Sequence, residues 1–345
     1  MTTIVQSQFF KFHGNIKLND TDDLAPVREK RETLLDEIRD YLKKKSKEEG
    51  KPLITFTVFN QGSYPMGTGI QPLHDDDDYD IDVGLAFNIS KNDYTPLQAK
   101  QWVFEALNKP PRKVEFKRPC IRVQYHEKGE VRFHIDFAIY SDSESNSDRR
   151  TYIAKGKPGI PKQEVFWEVS EPQRLKELIN DRYSKAEDRD QFKRVIRYHK
   201  RWKDFHFTDT VNGIPTGISL TALAYRGFQP YTTGFTGDDI DDLKASLQFI
   251  KYIIGQFTWN DCIEVRLPVA PGNNLFERMS ESQMKNFKNK LIELRDTLTK
   301  AQDEADPHAA CQLLQDVYGS DFPVPPKEST GQSRKRPIAS SSESA

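Results

Sequence analysis

Long apolar runs are missing from this chain. No stretch of its 345 residues approaches the ~18 consecutive apolar positions that a membrane-spanning helix needs. The N-terminal segment also lacks the apolar core of a secretory signal. Both absences argue against membrane insertion and secretion, so the sequence predicts a soluble protein of the cytoplasm with no membrane partner.

Cysteine is also scarce. The three cysteines, Cys120, Cys262 and Cys311, are odd in number and far apart in the chain. This arrangement fits neither a disulfide framework nor a zinc site with four ligands. A reducing compartment is therefore expected, in agreement with a cytoplasmic location.

An excess of one charge is absent as well. The chain has 51 Lys and Arg residues against 52 Asp and Glu residues, which gives a formal net charge of −1. Proteins that hold duplex nucleic acid through bulk charge carry a strong basic excess. We therefore expect no stable nucleic-acid partner. The length is sufficient for two packed lobes with a cleft between them.

The residue pattern predicts an α+β lobe in the first half of the chain. A helix is predicted over 24–49, where apolar residues recur at helical spacing before Gly50. Runs of β-branched and aromatic residues, and alternation of polar with apolar residues, predict strands. The predicted strands are 53–60, 79–87, 113–125 and 131–140, with a second helix over 96–108.

After Pro172 the pattern becomes helical. Helices are predicted over 173–180, 189–205, 216–228, 238–257, 281–302 and 308–318. We therefore divide the chain into an N-terminal lobe (1–170), a helical lobe that closes the cleft (171–320) and a tail (321–345). The helix over 24–49 is expected to act as a spine that contacts both lobes. The tail is rich in Pro and Ser and poor in large apolar side chains, which is typical of disorder.

The segment over 61–85 carries the residues that point to chemistry. Gly62 and Ser63 directly follow a predicted strand, where backbone N–H groups and a hydroxyl can cradle a phosphate. Asp80 and Asp82 lie two residues apart on the next strand, so both project from the same face. Two clustered carboxylates repel each other unless a cation lies between them, and hard oxygen ligands favour Mg²⁺.

A third acid would complete a site for two metal ions. Asp136 is the candidate, because it lies in the same lobe on a strand of mostly apolar residues, where a carboxylate needs a partner. If the strands of Asp82 and Asp136 are neighbours, the acids form one cluster. The run of four acids over 75–78 is more typical of a solvated loop, so we leave it outside the site.

These motifs resemble a known family. GSYPMGT, DYDIDVGL and FHIDFAIY are similar to motifs of the cGAS/DncV-like nucleotidyltransferases (CD-NTases), bacterial cyclic GMP-AMP synthase type, within the polymerase-β-like superfamily. The likeness to 2′-5′ oligoadenylate synthases is more distant. The later segments FKRVIRYHKRWK, IPTGISLTAL and PVAPGNNLF extend the resemblance over roughly 24–320. The implied fold is a two-lobed nucleotidyltransferase with a mixed N-terminal sheet and a helical C-terminal lobe.

The resemblance implies roles for individual residues. Asp80, Asp82 and Asp136 would be catalytic and would hold two Mg²⁺ ions, with Mn²⁺ as an alternative. Lys200 would contact the donor triphosphate. The other nucleotide-binding candidates are Gln61, Gly62, Ser63, Tyr64, Met66, Arg122, Ser219 and Asn274.

Three of these candidates have alternative interpretations. Tyr64 and Met66 either pack on a purine or anchor the loop. Arg122 resembles a basic residue that touches a nucleotide phosphate in some family members, and it is otherwise a strand residue leading toward Asp136.

By resemblance, the reaction is transfer of a nucleotidyl group from a nucleoside triphosphate to a ribose hydroxyl, with release of pyrophosphate. Two such steps on ATP and GTP would give a cyclic dinucleotide, with cyclic GMP-AMP as the first choice, that signals in bacterial anti-phage defence (CBASS). Base choice, ring size and 2′ or 3′ linkage stay open, because they depend on the shape of the acceptor pocket. The alternatives are a linear oligonucleotide or RNA-modifying nucleotidyltransferase and a nucleotide sensor without catalysis.

The resemblance also implies partners. An operon-encoded effector that responds to the product is expected. Some defence operons related to this family encode ubiquitin-transfer-like enzymes that join the C-terminus of the synthase to other molecules, and Ala345 would then be the attachment point. The alternative is an inert tail. The chain has no Cys/His insertion of the type that binds zinc and DNA in animal cGAS, so activation by double-stranded DNA is not expected.

Overall fold

The computed structural model describes residues 2–18, 25–73, 79–127, 130–207, 214–233 and 239–327. Side chains at 2–4, 25–27, 79–80, 126–127, 130–132 and 233 lie outside this description, and Asp80 is among them. The acids over 75–78 and the chain from 328 onward, including Ala345, also lie outside the described residues. Within the described part, no helix is both long and apolar enough to cross a membrane.

A mixed sheet forms the first lobe. Its described strands are β1 (Phe56–Asn60), β2 (Tyr79–Phe87), β3 (Lys113–Phe116), β4 (Ile121–Glu127), β5 (Glu130–Ser141), β6 (Tyr152–Lys155) and β7 (Phe166–Val169). The sheet runs in the order β1-β2-β5-β4-β3, while β6 pairs with β5 and β7 pairs with β6. The β2 and β5 strands are parallel, and the other pairs are antiparallel. The long central strand β5 therefore touches three neighbours.

The predicted strand over 113–125 is in fact two strands, β3 and β4. The Lys117 N–H donates to the Cys120 carbonyl at 3.0 Å, which closes a turn around Pro119. Proline has no N–H for a strand ladder, so it separates the two strands. The sequence analysis did not predict β6 and β7, because four residues are too short to show a clear alternation.

Two helices pack on this sheet, α2 (Ala25–Glu49) and α3 (Pro96–Leu107). Thr95 begins α3 with a capping box, in which its side chain accepts from the Gln98 N–H and the Gln98 side chain accepts from the Thr95 N–H. The buried residues of both helices share one core with β2, β4 and β5. The α2 contribution is Leu34, Leu35, Ile38 and Leu42, and the α3 contribution includes Ala99, Trp102, Val103, Ala106 and Leu107.

The second lobe is helical. It contains α1 (Thr2–Ile16), α4 (Pro172–Asn180), α5 (Ala186–His206), α6 (Gly217–Gly227), α7 (Asp242–Gly255), α8 (Glu281–Asp303) and α9 (Pro307–Tyr318), and a short ribbon of β8 (Thr232–Thr233) and β9 (Asp239–Ile240). The α5 helix lies at the centre of this lobe, where Phe192, Tyr198 and Trp202 are almost completely buried. The predicted helices of this half are all present, with small differences at their ends.

The first helix, α1, was not predicted, and it belongs to the helical lobe. Its Phe12 ring stacks on Tyr198 of α5 at 5.2 Å between centroids, and Phe9 packs edge-on against Phe322 at 5.1 Å. The predicted division placed residues 1–170 in one lobe, and the structure corrects this because α1 contributes to the second core. The predicted spine helix, α2, places its buried leucines in the core of the sheet lobe.

The chain remains packed beyond the predicted start of the tail at residue 321. Phe322 is fully buried, Val324 packs against the helical core, and the Pro325 carbonyl lies 2.6 Å from His308 Nδ1. The described part of the predicted tail, 321–327, is thus attached to α9 and its neighbours.

Candidate active site

The loop that follows β1 lies directly against β2. The Gln61 N–H donates to the Asp82 carbonyl at 3.1 Å, and Gly62 has a φ of +75°, in the left-handed region that favours glycine. A Cβ atom at residue 62 would overlap the Asp82 carboxylate. The glycine of the predicted phosphate loop is therefore required by its close approach to a predicted metal ligand.

A compact turn forms the rest of this loop. The Thr68 N–H donates to the Ser63 carbonyl at 3.0 Å, and the Gly67 N–H donates to the Tyr64 carbonyl at 2.9 Å. Gly67 has a φ of +63°, which again favours glycine. The turn places Ser63 and Met66 at the wall of a cavity that is described below.

The acids lie on neighbouring parallel strands, as the sequence analysis required. Asp82 of β2 is in register with Asp136 of β5, and the Asp80 backbone is in register with His134. Register partners on adjacent strands lie about 4.8 Å apart and share a face of the sheet. The side chain of Asp80 is outside the described residues, and the described side chains alone contain no group of three candidate metal ligands.

Arg122 holds the Asp136 carboxylate. The two residues are in register on β4 and β5, and the guanidinium donates two hydrogen bonds, Nε to Oδ1 at 2.8 Å and Nη2 to Oδ2 at 2.7 Å. The pairing compensates a carboxylate that is only 6% exposed. Burial and the nearby Asp136 carboxylate also raise the pKa of the Cys120 thiol, which keeps this cysteine protonated. Arg122, for which a phosphate contact was predicted, is thus paired with Asp136 in this structure.

Lys200 reaches the phosphate loop from α5. Its Nζ atom donates to the Thr68 carbonyl at 2.9 Å and to Thr68 Oγ1 at 3.2 Å. The side chain has no carboxylate partner at these contacts, and burial lowers its pKa to about 7, with Arg197 and Lys203 acting in the same direction. A buried cation in this environment is stabilised when an anion binds beside it.

Two arginines of α5 hold the same segment. Arg197 donates from Nε to the Gly69 carbonyl at 3.1 Å and from Nη2 to the Gly67 carbonyl, while Arg201 Nη2 donates to the carbonyls of Gln71 and Pro72. Both arginines are buried. Arg197, Lys200 and Arg201 are named here the loop clamp, because together they bind five carbonyls in the segment over 67–72. The sequence analysis assigned a role only to Lys200 among these three residues, and the structure adds the two arginines.

One cavity of about 390 Å³ lies where the loop, the sheet and the helical lobe meet. Six of the predicted site residues line it, namely Gln61, Gly62, Ser63, Met66, Asp82 and Lys200. The opposite wall comes from the helical lobe and from the loop before α8. These residues are Leu175, Lys176, Gly217, Ile218, Thr221, Leu267, Val269, Ala270 and Pro271. The volume lies within the ~300–1,000 Å³ range of small-molecule sites.

Two predicted nucleotide-binding residues have structural contacts outside the cavity wall. The Tyr64 hydroxyl accepts a hydrogen bond from Arg28 Nη2 at 2.7 Å, which ties the loop to α2. Ser219 completes the capping box of α6, where its Oγ accepts from the Thr216 N–H at 3.1 Å and also donates to the Thr216 carbonyl at 2.7 Å. The face of α6 that reaches the cavity instead carries Gly217, Ile218 and Thr221.

The side chain of Asn274 also stabilises a loop through hydrogen bonds. Its Oδ1 atom accepts hydrogen bonds from the N–H groups of Val265 and Phe276, both at 3.1 Å. The cavity wall is formed by the preceding segment of the same loop, in which the Ala270 N–H donates to Glu171 Oε2 at 2.9 Å. The segment PVAPGNNLF therefore borders the cavity, but through residues N-terminal to Asn274.

The sequence analysis missed five polar residues of the cavity wall: Tyr140, Ser170, Glu171, Lys176 and Thr221. A signal existed for Tyr140, which lies four residues after Asp136 on the same strand and thus on the same face. The other four come from the segment after β7, from α4 and from α6, which only the tertiary fold brings together.

The mixed sheet with paired acids, the Gly-Ser loop and the helical lobe across one cavity define a two-lobed nucleotidyltransferase fold of the polymerase-β-like type. Residues 56–140 match the family described as cyclic GMP-AMP synthase DncV-like, nucleotidyltransferase domain. The predicted resemblance to the cGAS/DncV-like nucleotidyltransferases is thereby confirmed, with the family match lying over the sheet lobe.

Similar proteins support the same family. A cyclic GMP-AMP synthase of Escherichia albertii is 25% identical over 182 residues, which is 50% of this chain and 37% of that protein. The match thus spans little more than a third of this curated relative. Vibrio cholerae DncV cyclic AMP-GMP synthase has the same fold, with a TM-score of 0.69 and 17% identity over 91% of this chain and 94% of that chain. The GTP-bound form of Vibrio cholerae DncV gives a TM-score of 0.71 at 17% identity, covering 91% of this chain and 93% of that chain.

Proposed function

We propose that this chain transfers a nucleotidyl group from a nucleoside triphosphate to a ribose hydroxyl and releases pyrophosphate. Two such transfers in the one cavity would close a cyclic dinucleotide, with cyclic GMP-AMP from ATP and GTP as the first choice. The observation that carries the proposal is the register of Asp82 with Asp136, directly beside the Gly62 and Ser63 loop. The names of the relatives, which are cyclic GMP-AMP synthases, support the choice of product.

The phosphate end of the site consists of the loop and Lys200. The loop supplies backbone N–H groups and the Ser63 hydroxyl, which suit a triphosphate. Lys200 supplies a buried positive charge behind the loop, at the cavity wall. Because burial lowers the pKa of Lys200 to about 7, a bound triphosphate would favour its charged form and gain a charge-assisted contact.

The acid end of the site, formed by Asp82 and Asp136, has the ligand type that divalent cations prefer. Asp82 and Asp136 are hard oxygen donors side by side on parallel strands, and Asp80 lies two residues from Asp82 on the same strand. Arg122 fixes the orientation of the Asp136 carboxylate through two hydrogen bonds. When bound, two Mg²⁺ ions would acidify the acceptor hydroxyl and neutralise charge on the α-phosphate. The carboxylates would position the acceptor for in-line attack.

The biological setting follows from the family resemblance. We place the protein in the cytoplasm, as the source of an alarm signal in anti-phage defence of the CBASS type. An effector encoded in the same operon would bind the product. Conjugation at Ala345 by an operon-encoded ligase remains part of this proposal.

The proposal is tested by incubating the purified chain with Mg²⁺ and all four radiolabelled nucleoside triphosphates. The products are then treated with phosphatase and separated by chromatography. We expect a phosphatase-resistant product that requires ATP and GTP. A phosphatase-sensitive ladder would favour the linear oligonucleotide synthase instead, and no product with any triphosphate would contradict catalysis.

The matched variants for this assay are Asp82→Asn and Asp93→Asn. Asp82 lies at the cavity wall, whereas Asp93 is exposed in a turn of the same lobe. Loss of product in the first variant alone would assign the activity to the proposed site. Equal activity in both variants would contradict that assignment.

A further inference from the structure

A hydrogen-bonded pair of side chains lies at the cavity wall behind the Gly-Ser loop. The Tyr140 hydroxyl donates to Gln61 Oε1 at 2.6 Å, and Ser170 is a neighbour of Tyr140. All three residues line the cavity. Each comes from a different part of the sheet lobe, namely the end of β1, the end of β5 and the segment after β7.

The single proton of Tyr140 determines the direction of this hydrogen bond. Tyr140 is 2% exposed, and burial raises the pKa of its phenol above the ordinary range, so the hydroxyl remains protonated. That proton is donated to Gln61 Oε1. The carbonyl side of the Gln61 carboxamide is thereby fixed on Tyr140.

The amide nitrogen of Gln61 is then the unbonded end of this pair. Within the described part of the protein, Gln61 Nε2 has no hydrogen-bond partner, although the residue lines the cavity. Its two N–H groups are therefore available to an acceptor in the cavity. The Gln61 backbone N–H donates to the Asp82 carbonyl at 3.1 Å, and both residues line the same cavity.

We infer that Tyr140 is a positioning residue that holds the Gln61 carboxamide with its N–H groups toward the cavity, where they donate to a ribose oxygen of the nucleotide beside Asp82. This inference rests on the proposed function, because it assigns a substrate contact at the same site. A ribose oxygen is the acceptor that fits, since the acids act on the ribose hydroxyl and the triphosphate is held by Lys200 at the other end. Gln61 thus helps to select which ribose is accepted.

The test is a double-mutant cycle of Tyr140→Phe and Gln61→Ala. If Tyr140 acts through Gln61, each single variant should lower kcat/KM roughly three- to tenfold, the effect of one neutral hydrogen bond. The double variant should be no worse than Gln61→Ala, because the two residues act as one unit. Losses that multiply would overturn the inference. Tyr41→Phe, which removes a hydroxyl bonded to Glu105 away from the cavity, is the matched control and should leave kcat/KM unchanged.

Substrate analogues provide a readout that a purely structural role would not change. The wild type should prefer ribonucleotides over 2′-deoxy or 3′-deoxy triphosphates, and Gln61→Ala should reduce at least one of these preferences by about the same three- to tenfold. Gln61→Glu keeps the acceptor for Tyr140 but has no N–H groups, so it should lose the same preference with an unchanged melting temperature. An unaltered preference in both Gln61 variants would overturn the inference even if Tyr140→Phe failed to fold.

The same cycle is measured on the affinity for a non-hydrolysable nucleoside triphosphate. If the wild type forms no product, the proposed function fails, and the affinity cycle still tests the Tyr140 and Gln61 coupling. If the wild type is active and the cycle is multiplicative, only the coupling fails.

Discussion

Replacing Lys200 by Met should make the empty protein more stable and its nucleotide binding weaker. Met retains the length of the side chain but carries no charge. Burial lowers the pKa of Lys200 from 10.5 to about 7, with Arg197 and Lys203 adding to the effect and Asp204 opposing it. At about 1.36 kcal/mol per pKa unit, this lowering corresponds to a destabilisation of up to about 5 kcal/mol while the group is charged.

The net effect of the substitution is smaller, because the variant also loses two contacts. The hydrogen bonds to the Thr68 carbonyl and hydroxyl stabilise the folded state by about 1 kcal/mol each, and their loss leaves a carbonyl without that donor. We therefore expect Lys200→Met to raise the free energy of unfolding by about 1–3 kcal/mol at pH 6.

The pH dependence of this stability difference tests whether the buried charge of Lys200 is its cause. Below pH 7, Lys200 is charged in both the folded and the unfolded chain, so the cost of burying it is fully present. Between pH 7 and 10.5 only the unfolded chain keeps the proton, so the stability of the wild type rises with pH. The stability gain of the variant should therefore be largest near pH 6 and should shrink toward pH 10.

Urea unfolding of both proteins at several pH values measures this difference, and Lys251→Met on the exposed surface of α7 is the control. In parallel, calorimetric titration with a non-hydrolysable nucleoside triphosphate should show a loss of roughly 10- to 150-fold in affinity, the effect of one charge-assisted contact of ~1.5–3 kcal/mol. A variant that is less stable than the wild type at pH 6, or a stability difference that does not change with pH, would refute the reasoning. An unchanged affinity would remove Lys200 from the triphosphate site.

Three further predictions concern other parts of the molecule. Asp82→Asn and Asp136→Asn should each lower product formation by more than about 100-fold. Asp136→Asn should also lower the melting temperature, because its arginine partner loses a carboxylate; an unchanged melting temperature in this variant would contradict the role of that ion pair. Phe12→Ala should destabilise the protein by about 3–5 kcal/mol in chemical unfolding, because the ring is fully buried in the helical core. A decrease in the free energy of unfolding below ~1 kcal/mol would show that α1 is not part of that core. Truncation after Lys327 should leave the melting temperature within about 1 °C of that of the full chain. Truncation after Asp321 removes the buried Phe322 and should lower the melting temperature by several degrees. Equal melting temperatures of the two truncated proteins would contradict the packing of this segment.

Local sequence patterns were sufficient for much of the fold. The alternation over 79–87 predicted β2 with its correct bounds, and the helical spacing over 24–49 predicted α2 within one residue. The signal for α1 was present but overlooked, since Val5, Phe9, Phe12 and Ile16 recur at intervals of four, three and four residues. The short strands β6 and β7 could not be predicted in this way, because their stability comes from pairing with β5 and with each other.

In the candidate site, too, residues of one local motif could be predicted, whereas contacts that depend on tertiary structure could not. Gly62, Ser63 and Asp82 follow one another within one loop and strand, so their motif is visible in the sequence. The ion pair of Arg122 with Asp136 depends on the register of β4 against β5, which a single strand does not encode. Ser219 and Asn274 were placed by resemblance, and in the structure each satisfies backbone groups of its own loop or helix cap.

The loop clamp limits which part of this chain can be moved into another protein. The phosphate loop belongs to the sheet by sequence, but three side chains of α5 satisfy its carbonyls from the other lobe. A transplant of residues 56–140 alone into a new scaffold would carry the acids and the glycines without the cations that hold the loop. The smallest unit that keeps these contacts to the loop is therefore the sheet lobe together with α5, and any circular permutation or fusion should leave the packing of α5 against this loop intact.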